Sequence, residues 1–273
     1  MINATGNRMT REIARQARLA QDIAQTQIQV STGRRIQRAS DDPVAAGRVA
    51  TIRTAQANGG AWLANVQQGQ SLTAQADGVL KSASDLLGRA KELALAEGNS
   101  ALTVADRAAL AAELTALADE MDSLSATSAA NSEPLFSNGA PRMMRFDGDA
   151  LFAPVPSRAA LFDSNGQSAG QHIRNAGSAV VSGNMTGVLT ALDGAIDQMA
   201  TAQAQIGLTA SRLDRLADLH AERRINQAAE RSTLEDTDLS SAIARLNAQT
   251  ITLEAAQAAF ARINRRSLFD ILG

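Results

Sequence analysis

The two ends of this chain limit its fold more than anything between them. Residues 5–31 and 236–272 are long Ala- and polar-rich stretches with no proline, and each carries its apolar side chains on a narrow line. Met9, Ile13, Ala20 and Val30 lie near one face of the first stretch. Ile243, Leu246, Leu253, Phe260 and Ile271 follow a 3.5-residue step in the last. Such spacing predicts helices that need a partner helix, because a seam this thin cannot enclose a core of its own. These residues are the candidate assembly interface. Thr250, Gln257 and Asn264 sit at seam positions as well, and buried polar groups there trade stability for choice of register and partner.

Composition agrees with thin helical seams. Hydrophobic residues make up 45% of the 273, but only 3% are aromatic and there is no Tyr. The apolar content is therefore mostly Ala, Leu, Ile and Val, which suits helix–helix contacts better than a bulky core. A net charge of −2 argues against a general polyanion binder. The absence of cysteine excludes disulfides and thiolate metal sites. No stretch approaches the ~20 apolar residues of a membrane span. The first residues include arginines but no apolar segment after them, so no cleaved signal peptide is expected.

Along the chain, the first helix is predicted to stop at Thr32-Gly33, where glycine supplies a C-terminal cap. A basic connector, Arg34 to Arg38, leads to Ser40-Asp41-Asp42-Pro43. Asp42 at the N-cap and Pro43 at the first helical position form the strongest helix start in the sequence. From there one helix is expected to reach about Glu97, and Thr103-x-x-Asp106 opens another to about Thr127. The middle differs: Pro134, Pro141, Pro154 and Pro156 cluster with Phe136, Phe146, Phe152 and Phe162, and Asp147-Gly148 and Asn165-Gly166 are turn dipeptides. It reads as a small β-rich or irregular insert that interrupts the bundle without supplying its seam. Helix resumes after Gly183, where Leu189, Leu192, Ile196, Met199, Ile206, Ala210, Leu213 and Ala217 hold a heptad step, with Gln203 the polar exception.

The expected fold class is mainly α, an antiparallel long-helix bundle or coiled coil made by the N- and C-terminal segments around the insert. The expected divisions are 1–40, an N-terminal helix and connector disordered in the free monomer; 41–130 and 179–235, the two parts of a helical rod; 131–178, the insert; and 236–273, the C-terminal assembly helix.

Candidate chemistry is sparse. Helix capping accounts for the adjacent carboxylates of Asp41 and Asp42. His172 and His220 have no partner at ligand spacing; the first reads as loop surface and the second as a helix seam or face. Trp62 reads as an interhelix packing anchor. Arg8, Arg11, Arg15 and Arg18 form a basic stripe opposite Met9, Ile13, Ala17, Ala20 and Ala24. That apolar face is mostly Ala, too little area to hold a bilayer interface. The stripe reads as either pairing with acidic surfaces of neighbouring subunits or solvated. No catalytic, cofactor or metal site is expected, and neither nucleic acid nor stable membrane insertion.

Several motifs, in order, resemble the flagellin superfamily. Val30-Ser31-Thr32-Gly33-Arg34-Arg35-Ile36, followed by Ala39-Ser40-Asp41-Asp42-Pro43-Val44-Ala45-Ala46, resembles its N-terminal signature. Asp106-Arg107-Ala108-Ala109-Leu110-Ala111-Ala112-Glu113-Leu114 is similar to its shorter N-terminal helix, and Ile206-Gly207 with Arg212-Leu213 to a C-terminal pattern. The proline after Asp41-Asp42 and the end, Arg265-Arg266-Ser267-Leu268-Phe269-Asp270-Ile271-Leu272, resemble the hook–filament junction branch more than the filament branch. The resemblance implies a structural protein of the bacterial flagellum, exported unfolded through the flagellar type III channel without signal cleavage and folding outside the cell at the hook tip. It also implies other copies of itself in a ring, a neighbouring hook-associated protein and flagellin as partners, and an export chaperone on the C-terminal segment. A filament flagellin, or a secreted helical adhesin or effector with the same architecture, are the alternatives.

Overall fold

The computed structural model describes residues 2–97, 102–130 and 132–272, with side-chain surroundings described for residues 9–262 of these. Seven helices and two small hairpins follow in order: α1 (Ile2–Thr32), α2 (Pro43–Ala96), α3 (Val104–Ser125), β1 (Met144–Arg145), β2 (Leu151–Phe152), α4 (Arg158–Phe162), β3 (Asp163–Ser164), β4 (Gln167–Ser168), α5 (Ala169–Ser182), α6 (Val188–Glu235) and α7 (Leu239–Leu272). They form two compact units. Met1–Gln56 with Arg224–Gly273 makes the first, and Ala57–Arg223 the second. The division falls inside α2 and α6, which contribute to both units, and not at the helix breaks.

In the second unit, α2 runs antiparallel to α6: Gln70 donates to Asp214 at 2.8 Å and Lys91 meets Asp193 at 2.5 Å. The inner face of α2 is a heptad line of Val66, Gly69, Thr73, Ala76, Leu80, Ala83, Leu87, Ala90 and Ala94, all buried. Gly, Ala and Thr on this line hide it from a search for large apolar residues, yet the 3–4 alternation is unbroken. The facing line on α6 is the expected one, with Leu192, Met199, Ile206 and Leu213 fully buried. Gln203 lies beside it, half-buried, with Ala202 taking the inner position. The Thr103 side chain accepts from Asp106 N, and the Asp106 carboxylate from Thr103 N, in a reciprocal capping box that starts α3.

The middle is less β-rich than its turn signals predict. Its strands are four of two residues each, paired as β1–β2 and β3–β4. Asn165 and Gly166, at φ 49° and 77°, make the two-residue turn of the second hairpin. Residues 169–178, read as the end of the insert, instead belong to α5, which continues to Ser182. Two glycines obscured that helix, and the packing explains them. A Cβ on Gly170 would lie 3.3 Å from the Ala118 carbonyl and against the Asp122 carboxylate, and one on Gly177 3.4 Å from the Ala111 carbonyl. α5 lies close against α3 at both glycines, more tightly at Gly170 than at Gly177, and Arg174 ties the pair by meeting Asp119 and Asp122.

The insert also supplies core, contrary to the reading that it merely interrupts the bundle. Phe136, Leu161 and Phe162 are fully buried in the main cluster with Leu80, Leu87 and Leu192. Phe146 closes a second cluster with Val66 and Leu213. The β1–β2 hairpin is held at several points: Asn65 donates to the Arg145 carbonyl (2.8 Å), His220 Nε2 to the Phe146 carbonyl (2.7 Å), Arg223 meets Asp147 (2.7 Å), and the Arg212 guanidinium lies 3.9 Å over the Phe152 ring. Partial desolvation pushes the Asp147 carboxylate up, but the neighbouring amide of Gly148 and then the Arg223 guanidinium together keep it below its ordinary range. Gly69 makes the close approach of Phe146 to α2 feasible, since a Cβ there would sit 2.9 Å from the Phe146 ring.

Candidate functional site

The first unit carries the terminal helices, and α1 and α7 pack on each other antiparallel. Gln16 donates to the Ala256 carbonyl at 3.5 Å, and Thr26 to the Gln249 side chain at 3.1 Å. The inward line of α1 is Glu12, Gln16, Leu19, Ile23, Thr26 and Val30, with Thr26 buried and the others half-buried. That of α7 is Ala242, Leu246, Gln249, Leu253, Ala256 and Phe260. The contact is thin. Small and polar side chains leave a groove of about 360 Å³ lined by Glu12, Arg15, Gln16, Leu19, Thr252, Ala255 and Ala256.

The candidate residues divide on this seam. Val30, Leu246, Leu253 and Phe260 lie on it, half-buried. Met9, Ile13 and Ile243 are 46%, 52% and 46% exposed, and Ala20 is exposed too. Around α1, the line Met9–Ile13–Ala20 lies about 80° from the inward line at 100° per residue. The helix thus turns a mixed stripe to its partner and leaves its more apolar one outside, with Ile28, Leu239 and Ile251 also exposed. Thr250 and Gln257 likewise point outward; the polar pair that does sit in the seam is Thr26–Gln249, which apolar periodicity alone does not single out. Ile271, Asn264 and Arg8 lie outside the residues whose side chains are described.

Both breaks in the long helices meet in this unit. α1 ends at Gly33, whose φ of 68° places it in the left-handed region. The connector then pairs with the α6–α7 break: Arg35 N donates to the Glu235 carbonyl (2.6 Å), Thr237 N to the Gly33 carbonyl (2.9 Å), and the Arg35 guanidinium to the Leu234 carbonyl (2.8 Å). Arg35 thereby satisfies carbonyls at the end of α6 that have no helical donor. Its guanidinium also meets Asp42 at 3.2 Å. Glu235, buried, is gripped by Arg53 at 2.5 Å and Arg231 at 3.5 Å.

Three carboxylates set the geometry of the joint. Asp42 Oδ1 accepts from Ala45 N at 3.0 Å, next to Pro43, which opens α2. That amide, then the Arg35 guanidinium, holds the Asp42 carboxyl below the usual carboxylate range. Asp41 accepts from the amides of Gln37 (2.9 Å) and Arg38 (2.8 Å), with the same consequence. Asp238, bonded by the hydroxyl and amide of Ser241 and the amide of Ser240, starts α7 and is lowered too. Arg35, Arg53 and Glu235 are the working residues that apolar patterning misses; the charged connector and the Gly33 stop are the sequence signals that mark the place.

Elsewhere, His172 is buried on α5, not on a loop surface, with Nε2 at 3.0 Å from both the hydroxyl and the carbonyl of Ser164. The β3–β4 hairpin folds over it. His220 is buried in the α6 seam, its ring 6.0 Å from that of half-buried Trp62. Among the described residues no group of three or more His, Cys, Asp or Glu is placed to hold a metal ion. No described helix is long and apolar enough to cross a membrane.

Long antiparallel helices whose paired termini leave apolar side chains outside define a helical, assembly-type architecture. The chain belongs to the bacterial flagellin family: the flagellin N-terminal helical region matches residues 3–140 and the C-terminal helical region residues 189–272. Among solved structures, it is similar to a protein assigned as a flagellar hook-associated protein from Vibrio parahaemolyticus (TM-score 0.65, 17% identity, 72% of this chain and 100% of that one). It is also similar to flagellar hook-associated protein 3 from Legionella pneumophila (TM-score 0.62, 13% identity, 68% and 98%). A third is the flagellar junction protein FlgL from the same organism (TM-score 0.53, 13% identity, 69% and 100%). No protein of curated function matches the sequence.

Proposed function

We propose that this chain is a structural, non-enzymatic subunit of the bacterial flagellum that forms the junction between hook and filament. The observation that carries the reading is the α1–α7 pair, whose seam is thin and mixes polar with apolar side chains while Met9, Ile13, Ile28, Ile243 and Ile251 stay exposed. A helix pair of this kind gains little from burial on its own and more when neighbouring helices cover its outer faces. Met9, Ile13, Ala20 and Ile243 are the residues proposed to meet neighbours. Val30, Leu246, Leu253 and Phe260 hold the pair together, and Asp42 with Pro43 fixes where α2 begins. The Asp41-Asp42-Pro43 start, and the hook-associated and junction proteins among the similar structures, favour the junction over the filament.

On this reading the partners are other copies in a ring, an adjoining hook-associated protein, flagellin, and an export chaperone on the C-terminal segment. The route is flagellar type III export without signal cleavage, and the destination is outside the cell. The terminal segments 1–40 and 236–273 are proposed to order fully only on assembly. The test is electron microscopy of a strain lacking the protein: bare hooks with flagellin shed into the medium support the reading. Normal filaments on that strain refute it.

A further inference from the structure

Charge is divided unevenly between the two units. Residues 1–56 and 224–273 hold 15 Lys and Arg against 10 Asp and Glu, net +5; residues 57–223 hold 11 against 18, net −7. The near-neutral total conceals this. The internal ion pairs do not use up the excess. On α1, Arg11, Arg15 and Arg18 are exposed, and among the described residues their side chains make no ion pair or hydrogen bond. On α6, Asp218 and Glu222 are exposed and, among the described residues, likewise unpaired, and Asp214 beside them meets the neutral Gln70.

We infer that the α1 arginine stripe of one copy docks on the Asp214–Asp218–Glu222 stripe of α6 in a second copy. This rests on the proposal that the chain assembles with itself, and names the contact. The geometry matches. At 1.5 Å per residue, Arg11 to Arg18 spans about 10 Å and Asp214 to Glu222 about 12 Å, each along one helix face. The orientation is antiparallel, Arg11 toward Glu222 and Arg15 toward Asp218. On the face of each stripe one opposing charge lies toward one end, Asp22 on α1 and Arg215 on α6. Glu12 on α1 and Arg212, Arg223 and Arg224 on α6 project to other sides at about 100° per residue. The antiparallel arrangement is the one that brings the Asp22 and Arg215 ends together. Two unlike patches meeting in this way make a heterologous contact, which propagates from subunit to subunit as a ring or helical assembly requires. A second copy is favoured over a lipid surface because the apolar line on α1 is interrupted by Ala20 and Ala24, leaving little to insert into a bilayer.

The absence of cysteine allows a clean test. Full-length Arg15→Cys and Asp218→Cys chains are co-expressed in the deletion strain, and a short bismaleimide is applied to the isolated flagella and to the mixed purified proteins. The expected product is a heterodimer in large excess over what either variant gives alone. With Arg15 and Asp218 replaced by the cross-linking cysteines, two exposed pairs remain, Arg11 with Glu222 and Arg18 with Asp214. At a factor of about 1.5 to 5 each, the product should fall by about 2- to 25-fold when Arg11→Glu and Arg18→Glu are added. Asp214→Arg and Glu222→Arg in the other chain should restore it. Raising salt from about 0.1 to about 1 M, which shortens the screening length from ~10 to ~3 Å, should also weaken it. No heterodimer in either preparation, cross-linking indifferent to charge reversal, or binding of the stripe to phosphatidylglycerol vesicles instead would each overturn the contact. Incorporation of the unmodified chain at the hook tip, scored in the same strain, tests the junction reading separately.

Discussion

Replacing Gly69 with Ala should behave opposite to the same change at Gly78, although both lie inside α2. Mid-helix, Gly→Ala normally stabilises by up to about 1 kcal/mol, because Ala loses less backbone freedom on folding. At Gly78 nothing lies within 4 Å of a new Cβ, so that gain should appear nearly in full. At Gly69 the Cβ would meet the Phe146 ring at 2.9 Å and both Leu213 methyls at 3.2 Å, well inside the ~3.5–4.0 Å optimum for carbon pairs. The ring cannot swing away easily, because it is fully buried and its hairpin is held by Asn65, His220 and Arg223. Overpacking of this sort costs about 1–3 kcal/mol and offsets the helical gain. The two variants should therefore differ by about 1–3 kcal/mol, or roughly 2–12 °C in thermal midpoint for a unit this size. Trp62 is the only tryptophan and lies in the same unit, so its fluorescence reports that unit's unfolding. Phe146→Leu should relieve part of the Gly69→Ala penalty, since the two positions touch. Equal upward shifts for both glycine variants would refute the close-approach argument.

Removing the His220 imidazole as His220→Phe leaves the Phe146 carbonyl without its donor, and should cost about 1–3 kcal/mol in urea unfolding followed by Trp62; no change would mean that the hairpin is held without that bond. Leu253→Asp places a carboxylate on the half-buried α1–α7 seam, so trypsin should cut α1 at Arg11, Arg15 and Arg18 faster than in the unmodified chain, and incorporation at the hook tip should fall. Unaltered cleavage would separate Leu253 from that seam. The carboxyls of Asp41, Asp42 and Asp238 are held below their ordinary range in the fold, so their contribution to the joint is present above the unfolded value of about 3.9 and lost as pH falls through the lower folded values. Amide NMR signals of Ala45 and Ser241 should titrate with midpoints below about 3.9, and midpoints above that would contradict the assigned bonds.

Much of the helical frame was legible because its signals are local. Gly33, Asp42-Pro43 and Thr103-x-x-Asp106 each act within one turn of chain, and the structure places helix ends where their hydrogen-bonding chemistry requires. The α6 seam was legible because Leu192, Met199, Ile206 and Leu213 are large and evenly spaced. Which side of α1 faces α7 was not. Its inward line contains Glu12, Gln16 and Thr26, and only a partner offering Gln249 and a small Ala256 makes that line the better one to bury.

The same limit applies to α5 and the insert. Gly170 and Gly177 weaken a helix when taken alone, and they become favourable only where α3 comes within 3.3–3.4 Å of a would-be Cβ. The phenylalanines of the insert look like loop residues until the middle turns of α2 and α6, at Val66 and Leu213, provide a surface for Phe146 to fill. By itself the sequence determined where most of the long helices start and stop and which broad class of assembly they suit, because caps, glycine stops and heptads are short-range physics. The tertiary structure alone decided which faces meet, because burial depends on the shape and polarity of a partner far away in the chain.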